Sequence, residues 1–119
     1  MHTASLVVAG IVAALHLYFL TLEMLLWEKP IGLRIFGNTP EKAAMSAVLA
    51  KNQGLYNGFL AAGLIWGIAH PELAVGVQLL RFFLGCVITA AVYGAATVSP
   101  RIFFVQGLPA VIGLALTFG

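Results

Sequence analysis

The chain has 119 residues, 61% of them hydrophobic and 8% charged, and a formal net charge of +2. A soluble domain carries about a quarter charged residues. The composition therefore excludes an ordinary water-facing surface and predicts one small domain, residues 1–119, with the bilayer as its solvent. The positive charge rests on too few residues to indicate nucleic acid. Cys86 is the sole cysteine, which excludes an internal disulfide and a cysteine-based zinc site.

A spanning helix needs about 20 mostly apolar residues. The first such stretch, residues 5–27, lacks the basic start of a signal peptide and is too long for one, so a retained span is expected. The connection that follows, residues 28–51, is longer than a helix–helix turn requires. Within it "IGLRIF" sets apolar residues beside Lys29 and Arg34, the mix of an interfacial segment. Thr39-Pro40-Glu41 reads as an N-cap, a proline at the first helical position and an acid in the first turn. The next residues, "KAAMSAVLAK", are predicted to form a short helix leading toward a second span, residues 52–69. "AHPEL" is a tight turn into the third span, residues 73–98, and "VSPRI" another into the fourth, residues 102–118. No strand alternation appears, so barrel strands are excluded. The predicted fold is all-α, an antiparallel bundle of four transmembrane helices with an amphipathic interfacial segment between the first and second spans.

Lys29, Arg34, Lys42 and Lys51 lie in the first connection and Arg101 in the third. The positive-inside rule puts both connections in the cytoplasm and both termini on the non-cytoplasmic side.

Ionisable groups inside a membrane are costly and ask for a partner or a purpose. His16 and Glu23 stand two helical turns apart on one face of the first span, about 10 Å along the axis. On the second span "NQGLYNGFLAAGLIWG" places Gln53 and Asn57 on one face, with Asn52 and Tyr56 on the neighbouring one. Because chain direction reverses, Asn57 is expected at the depth of Glu23. Gln106, close to Pro109, and Tyr93 are expected in the same layer. The candidate ligand-binding residues are thus Glu23, His16, Gln53, Tyr56, Asn57 and Gln106.

Each residue also has a packing role to weigh. Gly54-x-x-x-Gly58 and Gly63-x-x-x-Gly67 permit close helix approach, within the bundle or between copies in a homo-oligomer. Arg81 is expected to extend outward toward Glu72, Trp27 to anchor at the interface, and Cys86 to act as a small buried hydrophobe. His2, His16 and His70 fall at different depths, so no metal site is predicted. No phosphate loop, nucleophile set or other cofactor motif is present.

"LHLYFLTLEMLLWEKPIGLRIFG", "TPE" and "NQGLYNGFLAAGLIWG" together resemble the bacterial integral membrane family catalogued as domain of unknown function number 1304. That resemblance implies a four-span protein of the bacterial inner membrane and carries no assigned activity. Size and a first-span acid also give an architectural likeness to small multidrug resistance exporters. The long first connection, the strong charge bias and the displaced acid separate the chain from them.

Three functions are compatible with these residues. The first is binding or transport of a small molecule through a polar pocket on the cytoplasmic side, with Glu23 titrating, Asn57, Gln53, Tyr56 and Gln106 as its wall, and residues 28–51 as its lid. The second is a membrane-embedded isomerase or epimerase acting on a lipid-soluble substrate, with His16 and Glu23 as acid and base. The third is a structural or partner-binding subunit whose polar layer fixes helix register.

Overall fold

A computed structural model describes residues 3–119, so His2 lies outside the described residues. Among those residues the fold is all-α, with no strand: α1 (Thr3–Met24), α2 (Pro30–Phe36), α3 (Pro40–Ala69), α4 (Leu73–Thr97), and a π-helical turn (Phe103–Gly107) continuing into α5 (Leu108–Leu116). Two of these helices, α1 and α4, are long and apolar enough to cross a membrane; the second and fourth predicted spans do not meet that test.

The chain divides into two compact units, one built from His16–Phe59 and the other from Leu60–Gly119 with the first part of α1.

In the His16–Phe59 unit one helix end differs from expectation. α1 stops at Met24 and not at Trp27. Pro30 confines Lys29 to extended backbone (φ −80°, ψ 157°), and the chain must leave the helix to reach that conformation. α2 follows, capped by Gly37 in the left-handed region (φ 66°), where its N–H donates to the Leu33 carbonyl. Thr39 then caps α3, its Oγ1 accepting from the Lys42 N–H at 3.2 Å.

The short helix and the second span expected after it are one uninterrupted 30-residue helix, α3. Nothing between Pro40 and Ala69 breaks it, and one buried stripe runs along it: Ala43, Ala50, Gly54, Asn57, Ala61 and Leu64. Steps of three, four and seven keep these residues on one face. Trp27 clamps the loop after α1 onto this helix. Its indole N–H is shared between the Ala43 carbonyl and Ser46 Oγ, both at 3.2 Å, while its ring packs 4.8 Å from that of Phe36.

In the other unit Ala9, Val12 and Ala13 of α1, Leu64 of α3, Leu80, Leu84 and Val87 of α4, and Ala110 of α5 form one buried core. Truncating a buried leucine of this kind costs about 2–5 kcal/mol. The turn between α3 and α4 is held by His70 Nδ1, which accepts from the Glu72 N–H at 3.0 Å. Before α5 the helix widens, and the Leu108 N–H reaches the carbonyl of Phe103, five residues back. Pro109 explains the widening. Its ring would clash with the carbonyl of Val105 in a regular α-turn, and it has no N–H to give.

Candidate functional site

The end of α1 and the middle of α3 meet inside the His16–Phe59 unit. Gly54 makes the meeting close. A Cβ at that position would lie 2.6 Å from Met24 Cγ, 3.1 Å from Glu23 Cβ and 3.3 Å from the Leu20 carbonyl oxygen. One turn on, a Cβ at Gly58 would lie 2.7 Å from Leu20 Cδ1. This backbone approach lets two short polar side chains touch. Asn57 Nδ2 donates to Glu23 Oε1 at 2.5 Å. Asn57 is buried, on the inward stripe of α3, and Glu23 is half-buried.

The other predicted wall residues diverge. Gln53 and Tyr56 are exposed, Tyr56 by 53%. At 100° per residue they sit about 60° and 120° from the centre of the buried stripe, and the inward position between them is taken by Gly54. Neither lies on the buried stripe of α3. Asn52 turns its amide back onto its own helix, donating to the Val48 carbonyl at 2.9 Å. Tyr93 is 72% exposed and is not part of an interior layer. Gln106 sits half-buried within the π turn of the other unit.

His16 is fully buried, with its ring edge-on to that of Phe19 at 5.5 Å. The second glycine pair serves a different neighbour from the first. A Cβ at Gly63 would run into the Phe83 ring, and one at Gly67 would lie 2.8 Å from the Leu80 side chain. Both pairs therefore sit against other helices of the same chain, Gly54 and Gly58 against α1, Gly63 and Gly67 against α4.

Arg81 does not pair with Glu72 as expected. Its Nε donates to Thr117 Oγ1 at 3.1 Å and Nη2 to the Thr117 carbonyl at 2.9 Å, and the guanidinium lies 3.7 Å from the centroid of the Phe118 ring. The end of α5 offers carbonyls that its own helix leaves unpaired, which is where a cation is favoured. No sequence signal marks this pairing, because it joins positions 36 apart without a motif.

A cleft of ≈ 330 Å³ opens one residue past Glu23, lined by Met24, Leu25, Trp27, Glu28, Lys29, Ala47 and Lys51. It was not foreseen residue by residue, although most of its lining falls in the first connection. Among the described residues no cluster of three or more histidine, cysteine, aspartate or glutamate side chains has the geometry to hold a metal ion.

The fold and this site define an all-helical protein with an acid–amide pair where two helices approach at glycine. The chain belongs to the family described as "Protein of unknown function (DUF1304)", which it matches over residues 10–118. It is 30% identical over 120 residues, 99% of each chain, to the uncharacterised protein YpaA of Lactococcus lactis subsp. lactis (strain IL1403). No solved structure matches it.

Proposed function

We propose that this is a four-span integral protein of the bacterial cytoplasmic membrane that binds or passes a small molecule through a polar site at the cytoplasmic end of α1. The observation that carries this reading is the hydrogen bond from Asn57 to Glu23 at 2.5 Å. An acid on an apolar helix is held there by a carboxamide that a second helix was shaped, through Gly54, to deliver. A carboxylate has about four acceptor positions, and one amide donor leaves capacity for a ligand. The neighbouring cleft of ≈ 330 Å³ is at the lower end of the range for small-molecule sites. Its Glu28, Lys29 and Lys51 supply charges of both signs.

The membrane reading draws on α1 and α4, on the apolar stretches 52–69 and 102–118, and on the clustering of Lys29, Arg34, Lys42 and Lys51 in one connection. On this topology both termini are non-cytoplasmic and the cleft faces the cytoplasm. The isomerase alternative has less support, because His16 is fully buried against Phe19 and would have to move to meet a substrate.

The test is a thermal-stability titration of detergent-purified protein against a fixed set of small cationic, anionic and neutral metabolites, repeated across pH in wild type and Glu23→Gln. Stabilisation of wild type that varies with pH, and a flat response in Glu23→Gln, is the expected result. The same pH profile in both proteins removes Glu23 as the titrating group. Recovery of the protein in the soluble fraction of lysed cells removes the membrane reading altogether.

A further inference from the structure

The cleft beside the acid–amide pair is built from two walls that the fold holds in place. One is the loop after α1. Pro30 keeps Lys29 in extended backbone, and the Trp27 indole N–H, shared between the Ala43 carbonyl and Ser46 Oγ, ties the loop to α3. Gly32 seats α2 on the same loop, because a Cβ there would run into the Leu26 carbonyl. The other wall is α3 itself, where Ala47 and Lys51 stand about one turn apart on one flank.

Three charged side chains line the ≈ 330 Å³ between these walls: Glu28 and Lys29 from the loop, and Lys51 from α3. Among the described residues none of the three side chains has an ion-pair or hydrogen-bond partner within the chain. Opposite charges that share one cleft without closing on each other give it a definite polarity, two cations and one anion. A simple cation brought there meets both lysines, and a simple anion meets Glu28. Like-charge contacts of this kind are how a site rejects ligands of the wrong sign. The ligand that pairs with all three groups carries both signs.

We propose that the cleft binds a small zwitterion, with its primary ammonium on Glu28 and its carboxylate or phosphate between Lys29 and Lys51. An ammonium a few bonds from an acid group is chemistry shared by free amino acids and by the ethanolamine-phosphate headgroup of a membrane lipid. The inference names the ligand class of the polar site above and rests on that reading.

The experiment titrates the full-length protein in detergent with L-glutamate, whose one ammonium and two carboxylates match one acid and two lysines. N-acetyl-L-glutamate, which lacks the ammonium, and dimethyl L-glutamate, which lacks the free acids, are titrated beside it. In parallel the protein is exchanged into equal phosphatidylethanolamine and phosphatidylglycerol, and the retained lipid is measured. The expected result is L-glutamate bound about tenfold tighter than either derivative, or phosphatidylethanolamine retained about tenfold over phosphatidylglycerol, the worth of one charge-assisted contact. The first assigns a free ligand and the second a headgroup. Lys51→Gln should weaken whichever ligand binds by about tenfold, and Glu28→Gln should erase the preference for the ammonium. Lys42→Gln, in the same connection but outside the cleft, should change neither. All three side chains are exposed, so these variants should keep the wild-type melting temperature. Equal binding of L-glutamate and its N-acetyl derivative, with equal retention of the two lipids, overturns the proposal. A preference that survives Glu28→Gln overturns it too. If only a ligand of another charge class stabilises the protein in the Glu23 titration, the polar site stands and the zwitterion falls; no response to any ligand overturns both.

Discussion

Asn57 donates to Glu23 across 34 positions of chain, and the bond exists because Gly54 lets α3 settle against the last turn of α1. Removing the amide strips a half-buried carboxyl of its donor. Asn57→Leu is expected to destabilise the protein by about 1–3 kcal/mol, the penalty for an orphaned polar group. Glu23→Gln keeps an acceptor oxygen facing Asn57 and should cost less than 1 kcal/mol. A double-mutant cycle on detergent unfolding midpoints measures the coupling, expected at about 0.6–1.7 kcal/mol. Additive effects of the two changes would mean that the bond contributes nothing.

Gly54 and Gly10 make a matched pair of substitutions. A side chain at Gly54 runs into Glu23 Cβ and the Leu20 carbonyl, while one at Gly10 meets nothing within 4 Å. Gly54→Val should lower stability by about 1–3 kcal/mol through overpacking. Gly10→Ala should be neutral or add up to about 1 kcal/mol by lowering the entropy of the unfolded chain. Equal effects at the two sites would contradict the close approach.

The fold was legible in the sequence wherever one residue type enforces the backbone. Thr39-Pro40-Glu41 announced the start of α3, and Pro71 and Pro100 announced the turns on either side of α4. The continuity of α3 was hidden because the change from charged to apolar residues near Lys51 looks like a boundary, although helical backbone is indifferent to it. At the candidate site Glu23 and Asn57 could be read from depth alone. Gln53 and Tyr56 could not be assigned, because depth along a helix says nothing of rotation about it. Only the buried stripe from Ala43 to Leu64 sets that rotation. The partner of Arg81 was illegible for a different reason: the nearest acid in sequence, Glu72, competes with uncharged carbonyls that carry no signature.

Trp27 tests the loop clamp. Trp27→Phe keeps the ring contact with Phe36 and loses the donor shared by Ala43 and Ser46. It should cost about 0.5–1.5 kcal/mol, whereas Trp27→Ala should cost about 3 kcal/mol or more. Thermal melts of the two variants in one detergent give the comparison, and equal losses would assign the residue's role to the N–H alone.

Topology is open to thiol labelling. In a Cys86→Ser background, Asn38→Cys, in the turn before α3, should react with a membrane-impermeant maleimide in everted vesicles and stay silent in intact spheroplasts. Glu72→Cys, in the turn after α3, should do the reverse. Both positions reacting from the same side would eliminate a crossing by α3 and with it the four-span arrangement.

The unbroken course of α3 has a mechanical consequence. Thirty residues of helix extend about 45 Å, against a hydrocarbon layer of about 30 Å. In the four-span arrangement the surplus juts into the cytosol as a handle rigidly joined to the depth of Asn57, with no hinge to absorb motion. Leaning that handle by 10° about Asn57 swings its tip by about 4 Å. Any cytosolic grip on Pro40–Lys51 is then felt as torque at the carboxamide itself.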